Sequence, residues 1–324
     1  MSQQTHKRKR SLQDSPVDVS KFQQALNRLQ SLKEELDGIT ETEAEIEEVM
    51  NHVYALETIL KTAKLRKVTF STISGIELER LGIESGVLEF HQSVRERLLN
   101  GEPSMFKDEM NDLTRSLKVI GDCVSMNYEV GARVYLDAIL ITLRKIALES
   151  SKDIAILPEF SLTPADGVRL VNKENGYEVT ITGSVDYAVI KYERNEDSAD
   201  RLLTPEGFRP VELVYEYAAG RLFLVEAKRQ NGRTLLSFLP EAVSQAYVMA
   251  KTANLEEVHF CLSDGIKWIF VILKVDKDKP IYYVSVAQTL AKDSPGPILI
   301  LLSEWLKPSP TQGLYTLRRL TKSY

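Results

Sequence analysis

The chain has 324 residues, of which 43% are hydrophobic and 27% charged, a composition typical of a globular protein that buries a sizeable core. No apolar run reaches the roughly 18 residues of a membrane span, and the N-terminus lacks the apolar segment of a secretory signal. The two cysteines and four histidines provide neither a disulfide framework nor a zinc cluster. We therefore expect an intracellular protein without a membrane partner, and the net charge of −5 restricts nucleic-acid binding to a local basic patch.

The first predicted segment is a disordered basic tail over residues 1–18. Its KRKR run at residues 7–10 stands out in an acidic chain and is followed by a sequence that contains Ser and Pro. Such a run is typical of a nuclear localisation signal or of a nucleic-acid-binding arm, and a solvated tail with neither role is the alternative. As a location we favour the nucleus over the cytoplasm.

A helical, coiled-coil region is predicted over residues 19–120, and its first part contains two heptad seams. Apolar residues recur at intervals of three and four along residues 22–39 and again along residues 46–63. Gly38 separates the two seams, and Thr40 is in position to cap a second helix. We therefore predict a helical hairpin, which either mediates self-association into a homo-oligomer or packs on the chain's own core.

More helix is predicted after the hairpin. Residues 76–120 read as mostly helical, with LEFHQSVRERLL and MFKDEMNDLTRSLKVI as the clearest segments and a loop at about residues 100–104. A further helix is predicted over about residues 127–148, with Glu129 at the head of its apolar stripe. Glu129 in that position is either one half of an ion pair with Arg133 four residues on, or a functional carboxylate.

Strands and helices alternate after residue 155, which predicts an α/β layer protein. Strands are predicted at YEVTITGSVDYAVIKYE with a break at Gly183, in a hairpin VELVYEYAAGRLFLVEAKR, in a second hairpin EVHFCLSDGIKWIFVILKV, and at PIYYVSVA. Helices are predicted at FLPEAVSQAYVMAKTA and, at the close of the domain, at PGPILILLSEWL. Residues 192–210 are predicted to be a surface insertion.

Four polar residues on three of these elements are chemically distinctive. Asp186 follows Gly183 in one strand, and Glu226 and Lys228 share a face of the next long strand, because residues two apart in a strand point the same way. Gln245 lies on the helix that follows. A Glu/Lys pair at a strand end, where we expect it to be exposed, is by itself most simply a solvated ion pair. The interpretation therefore depends on the three elements together.

In this order, the motifs Gly183-Ser-Val-Asp186, Leu224-Val-Glu226-Ala-Lys228 and Gln245 resemble the PD-(D/E)XK phosphodiesterase superfamily, which includes restriction endonucleases, Holliday junction resolvases and recombination exonucleases. The family motifs are G-x-h-D, h-h-(D/E)-h-K and Q-h-x-x-Y, where h is apolar, and the resemblance extends over roughly residues 125–275. A valine replaces the proline of the first motif. Tyr247 stands two rather than four residues after the glutamine, so of the third motif only the glutamine is carried over.

The resemblance implies a fold and a domain division. The fold is a restriction-endonuclease-like mixed sheet flanked by helices, an α/β architecture, preceded by the α-helical coiled-coil hairpin. The nuclease-like domain is expected to comprise residues 121–324.

The resemblance also implies a Mg²⁺- or Mn²⁺-dependent nuclease that hydrolyses phosphodiester bonds of nucleic acid, with DNA as the favoured substrate. Mg²⁺ prefers hard oxygen ligands, lowers the pKa of a bound water and neutralises developing charge. The implied metal ligands are Asp186, Glu226, the Ala227 carbonyl and Glu129. The implied catalytic residues are Asp186, Glu226, Lys228 and Gln245. In these roles Lys228 orients the attacking water or stabilises the phosphorus, and Gln245 positions water or holds Lys228.

A basic groove for nucleic acid would have to be local. Its candidate residues are Lys228, Arg229, Arg233, Lys251 and Lys267. The alternative to an enzyme is a catalytically silent nuclease-fold protein that acts as a coiled-coil interaction module or a nucleic-acid-binding module.

Overall fold

A computed structural model of the chain describes residues 27–32, 34, 49–51, 53–55, 67–92, 94, 106–148, 151–194, 196–203, 214, 216–217, 222–229, 234–276, 279–291, 294–307 and 314–320. The chain divides into two compact units, one formed by residues 1–66 and 171–179 and the other by residues 67–170 and 180–324. In the first unit, the described residues between 27 and 55 are helical. The basic tail, the capping residue and the rest of the predicted hairpin lie outside the described residues.

The strands, numbered in chain order, are β1 (Lys67–Thr69), β2 (Glu84–Phe90), β3 (Lys152–Ser161), β4 (Val168–Val171), β5 (Glu178–Thr182), β6 (Ser184–Glu193), β7 (Leu222–Ala227), β8 (Glu257–Ser263), β9 (Lys267–Asp276), β10 (Lys279–Ser285), β11 (Gln288–Thr289) and β12 (Tyr315–Arg319). Within the described parts of the chain, nine of them form one large sheet in the order β12-β2-β10-β9-β8-β7-β6-β3, with β11 paired to β9. Strands β7 and β8 are parallel, as are β2 and β10, and the other neighbours are antiparallel.

The helices are α1 (Gly75–Arg80), α2 (Lys107–Cys123), α3 (Glu129–Ala147), α4 (Glu196–Leu203), α5 (Leu239–Thr252) and α6 (Gly296–Trp305). Apolar residues of α2, α3 and α6 form one core with the sheet, to which β7 contributes Phe223, Val225 and Ala227. Because side chains alternate along a strand, Leu224 and Glu226 point to the other face. There Gln245 of α5 reaches Glu226. The predicted mixed α/β sheet flanked by helices is confirmed.

Several predicted elements are present at the expected places. Helix α3 coincides with the predicted helix, and Pro240 lies in the first turn of α5, where its missing N–H costs nothing. Strands β8 and β9 turn at Asp264 and Gly265, and Gly265 has a φ of 86° that favours glycine. Strand β10 and helix α6 are also where the sequence predicts them. No described helix is long and apolar enough to cross a membrane.

Three local predictions are wrong. Residues 88–90, predicted as the start of a helix, end strand β2, where Leu88 and Phe90 are buried at alternate positions. The chain is helical at Val214, Glu216 and Tyr217, which were predicted to be the first strand of a hairpin. Helix α6 does not close the domain, because β12 follows it and pairs with β2. In the predicted surface insertion, residues 196–203 form α4.

The second compact unit begins at Lys67, whereas the nuclease-like domain was expected to begin at residue 121. Residues 67–120 contribute β2 to the interior of the large sheet, between β12 and β10, and they contribute helix α2. Leu113 and Leu117 of α2 are fully buried in the same core as α3. These apolar contacts make the segment part of the sheet-containing unit.

Candidate active site

A cleft of about 670 Å³ opens at one end of the large sheet. Its lining comes from the start of β6, the end of β7, the first turns of α3 and α5, and the short 3₁₀ turn Phe70–Thr72. The ionisable lining residues are five acids and three bases, namely Glu129, Glu159, Asp186, Glu226, Glu241, Arg133, Lys228 and Arg229. The lining therefore has an excess of two negative charges when all eight groups are ionised.

Asp186 and Glu226 face each other across neighbouring strands. The β6–β7 register pairs Tyr187 with Val225, which places Asp186 opposite Glu226 one position further on. The Ala227 N–H donates a hydrogen bond of 2.6 Å to Asp186 Oδ2. Asp186 and Glu226 are only 7% and 6% exposed. The expectation that this strand end is exposed is wrong, because α3 and α5 cover it.

Both carboxyl groups have raised pKa values. Burial is the main cause at each of them, since it disfavours the charged form. Arg133 and the Ala227 N–H partly offset the effect on the pKa of Asp186, and Lys228 partly offsets it for Glu226. The Asp186 charge raises the pKa of Glu226 further. Two buried carboxylates that oppose each other's ionisation form a site that favours an added cation.

Lys228 follows β7 directly, and its side chain is buried in the cleft. Its N–H donates to the Ser263 carbonyl at 2.8 Å, and its Nζ donates to Glu226 Oε1 at 2.6 Å and lies 2.8 Å from Glu241 Oε2. The ammonium also lies 5.2 Å from the centre of the Phe238 ring. Burial lowers the pKa of Lys228, but the two carboxylates outweigh it and the net shift is upward. Lys228 therefore keeps its positive charge inside the cleft.

Gln245 and Glu241 extend the site onto helix α5. Gln245 Nε2 donates to Glu226 Oε2 at 2.8 Å and to the Ser184 carbonyl at 3.3 Å, so Gln245 holds Glu226 rather than Lys228. Glu241 was not singled out in the sequence. The available signal was its spacing of four residues before Gln245, which puts both side chains on one face of the helix.

Arg133 is the second residue that sequence reasoning missed as a site residue. Its guanidinium contacts three carboxylates: Glu129 at 3.2 Å, and also Glu159 and Asp186. Glu159 lies between Pro158 and Phe160, which pair with Tyr187 and Val185 of β6. Its backbone is left-handed with a φ of 49°, which is uncommon for a residue other than glycine. The ion-pair interpretation of Glu129 is thus observed, and Glu129 also lines the cleft.

The residues that the resemblance implies as metal ligands fit a Mg²⁺ site only in part. Among the described residues, no group of three or more His, Cys, Asp or Glu side chains is arranged to hold a metal ion. Glu129 is paired with Arg133. The Ala227 N–H contacts Asp186, and the Ala227 carbonyl stays an implied ligand. Asp186 and Glu226 are hard oxygen donors that both line the cleft. Mg²⁺ is typically held by one or two carboxylates and keeps several waters, so this donor set fits it.

The candidate basic groove is smaller than expected. Lys228 and Arg229 line the cleft. Lys251 lies over the Tyr247 ring on α5 and Lys267 begins β9, and neither is among the described lining residues. Arg233 is outside the described residues. Among the described residues, the cleft thus contains two of the five candidates, and one of these, Lys228, is paired with Glu226 and Glu241.

Comparison of the sequence with models of known protein families finds no match. A search of curated proteins likewise finds no significant match. Function is therefore inferred from the residues of the cleft and their geometry.

Proposed function

We propose that the protein is a Mg²⁺- or Mn²⁺-dependent nuclease of the PD-(D/E)XK type that hydrolyses phosphodiester bonds of nucleic acid, with DNA as the expected substrate. The main support is the buried Asp186–Glu226 pair on adjacent strands, with the Lys228 ammonium bonded to Glu226 in the same cleft. When all eight of the ionisable groups named above are charged, the lining has two excess negative charges. A polyanion approaches such a cleft favourably only after a divalent cation has neutralised it.

The architecture around the cleft supports the proposed restriction-endonuclease-like fold. The two motif strands, β6 and β7, are antiparallel neighbours, and β8 lies parallel to β7 after the helix α5. This arrangement brings Asp186, Glu226, Lys228 and Gln245 together, although they are spread over 60 residues of sequence. The N-terminal helices as a self-association device and the basic tail as a nuclear import signal belong to the same proposal.

Each side chain has a role that its contacts support. A metal held by Asp186 and Glu226 would supply an activated water and stabilise the leaving oxyanion. Lys228 has three N–H donors and gives two of them to Glu226 and Glu241, which leaves one for a water or a phosphate oxygen. Gln245 fixes the orientation of Glu226 by binding its Oε2.

The test compares three variants that preserve side-chain shape or hydrogen bonding in a buried site: Asp186→Asn, Glu226→Gln and Lys228→Gln. We expect the first two to bind Mn²⁺ more than about tenfold more weakly in calorimetric titration and to lose cleavage. Lys228→Gln should bind Mn²⁺ with at least wild-type affinity while cleavage falls about 100-fold or more, because removing a positive charge does not weaken cation binding. Cleavage is measured on labelled single-stranded, double-stranded and branched DNA and RNA.

Lys118→Gln is the matched control, since it removes an exposed lysine of α2 that is neither a candidate for the basic groove nor among the described residues that line the cleft. It should leave cleavage and metal binding unchanged. Wild-type Mn²⁺ affinity in Glu226→Gln would contradict the proposed site, whatever the cleavage assay gives.

One observation favours the catalytically silent alternative. All four oxygens of Asp186 and Glu226 already accept hydrogen bonds from the protein, from Arg133, Ala227, Lys228 and Gln245. A binding module built on this fold would not need a metal. Nucleic-acid binding by the wild type, without cleavage in Mg²⁺ or Mn²⁺, would select this alternative.

A further inference from the structure

Arg133 already supplies a positive charge to one of the two cleft carboxylates. Its Nη2 donates to Asp186 Oδ1 and to Glu129 Oε1, and its Nη1 donates to Glu159 Oε1. Glu129 and Glu159 are 42% and 61% exposed, whereas Asp186 is buried. One guanidinium is therefore shared between a buried carboxylate in the cleft and two carboxylates at its solvent-exposed rim.

A second arginine on the same helix contacts a buried carboxylate in a different geometry. Arg144 donates through Nε and Nη2 to the two oxygens of Asp153, at 2.9 and 2.8 Å, which is the bidentate geometry that arginine favours with a carboxylate. Arg133 meets Asp186 through a single nitrogen, and its Nε is buried with no hydrogen-bond partner among the described residues. The Arg133–Asp186 contact thus leaves one donor of the guanidinium unused.

We propose that Arg133 is an exchangeable counter-cation of Asp186, which a divalent cation displaces when it binds the cleft. This inference rests on the metal site of the proposed function. Asp186 Oδ2 already accepts from the Ala227 N–H, so a divalent cation that binds Asp186 competes with the guanidinium for Oδ1, and the two positive charges repel each other. The displaced guanidinium keeps Glu129 and Glu159 as partners at the rim.

The arrangement has two consequences. Without a metal, Arg133 supplies the buried Asp186 carboxylate with an ion pair. With a metal, the guanidinium is released toward the mouth of the cleft, where a phosphate of the substrate would arrive. Arg133 in this role is a positioning residue that sets the metal affinity of Asp186.

The experiment is a calorimetric Mn²⁺ titration of the full chain as wild type, Arg133→Gln, Arg133→Lys and Arg144→Gln. Removing the competing charge should tighten Mn²⁺ binding of Arg133→Gln about tenfold, by analogy with the effect of a neighbouring charge on proton binding. Arg133→Lys restores the charge and should return the affinity close to that of the wild type. Arg144→Gln removes an equally charged residue of the same helix away from the cleft, and its Mn²⁺ affinity should be that of the wild type.

Thermal melts in chelator accompany the titration. Both glutamine variants should melt below the wild type, because each loses an ion pair with a buried carboxylate; a stability loss alone does not tighten metal binding. Arg133→Met supplies a second neutral side chain that keeps the aliphatic packing, should Arg133→Gln fail to fold.

The outcomes separate this inference from the proposed function. Wild-type Mn²⁺ binding with equal or weaker binding in the neutral Arg133 variants would overturn the exchange and leave the nuclease proposal standing. Equal tightening in Arg144→Gln would also overturn it, because the effect would then come from net charge. No Mn²⁺ binding in any of these proteins would overturn both.

Discussion

Glu226 is a buried carboxyl group whose two oxygens are hydrogen-bonded and which faces a second carboxyl group. Lys228 and Gln245 hold its two oxygens, and Asp186 stands opposite on the neighbouring strand. Burial and the Asp186 charge together raise the pKa of Glu226. A carboxyl group in this environment couples the stability of the metal-free protein to pH.

The raised pKa of Glu226 makes the folded protein less stable as the pH rises. The folded protein holds the Glu226 proton more tightly than the unfolded chain, in which a glutamate titrates near 4.5. As the pH rises above this value, the unfolded chain loses the proton first, so stability falls until the raised pKa is passed. We expect the melting temperature of the wild type in chelator to fall between about pH 5 and about pH 8, and that of Glu226→Gln to fall less. Asp186 has the same sign and remains in both proteins.

Asp153→Asn is the control for this prediction. Burial raises the pKa of Asp153, but hydrogen bonds from Arg144 and from the Ile154 N–H outweigh burial and lower it. Arg144 stays charged throughout the window. The contribution of Asp153 to stability is therefore complete above about pH 4 and is lost only as the pH falls below that value. The slope of Asp153→Asn between about pH 5 and about pH 8 should match the wild type. Identical slopes in all three proteins would mean that Glu226 does not titrate abnormally.

At the scale of elements, the junction of β5 and β6 determines one wall of the cleft. Gly183 joins the two strands with a φ of 144°, and a Cβ there would lie 2.6 Å from the Phe70 ring. Its N–H donates to Thr163 Oγ1 at 3.1 Å. Gly183 and Phe70 both line the cleft, so the glycine allows an aromatic wall to approach the start of β6.

Gly183→Ala should therefore destabilise the protein by about 1–3 kcal/mol, because the backbone is strained and the Phe70 ring must move. Chemical denaturation measures this change. Gly75→Ala, in the first residue of α1, is the matched control, since its Cβ meets nothing within 4 Å. It should be neutral or stabilising by up to roughly 1 kcal/mol. Equal stability of Gly183→Ala and the wild type would show that Phe70 accommodates a methyl group without cost.

At the scale of the whole molecule, the division into two units gives a way to test the predicted N-terminal hairpin. A fragment that starts at Lys67 keeps β1, the 3₁₀ turn and Phe70, whereas a start at residue 70 would remove the strand that pairs with residues 180–182 of β5. If the heptad seams mediate self-association, the fragment should have a lower oligomeric order than the full chain by light scattering at equal concentration. A melt of the fragment checks that it folds. The same oligomeric order in both would show that the seams serve another purpose.

Local sequence patterns were sufficient for the elements whose periodicity is long and strong. Helix α3 and the β8–β9 hairpin have unambiguous apolar repeats and turn residues, and these are properties of neighbouring residues along the chain. Strand β2 was misassigned because residues 88–90 run into a helix-like sequence. Its strand conformation is stabilised by pairing with β10 and β12, nearly 200 residues or more away.

Some residues of the candidate site could be identified from local sequence patterns and others could not. Asp186, Glu226, Lys228 and Gln245 were identified from the sequence because a motif fixes each of them on its own strand or helix. Arg133, Glu159 and Glu241 were not, because Arg133 contacts Glu159 and Asp186, and Glu241 contacts Lys228, only across distant segments of the chain. These ion pairs depend on the β3–β6 register and on how α3 and α5 pack at the end of the sheet. The sequence by itself therefore determined the motif residues and the elements with strong local patterns. Tertiary structure decided that Arg133 meets Asp186 and that Glu241 meets Lys228, because ion pairs between distant segments form only after strand register and burial are set.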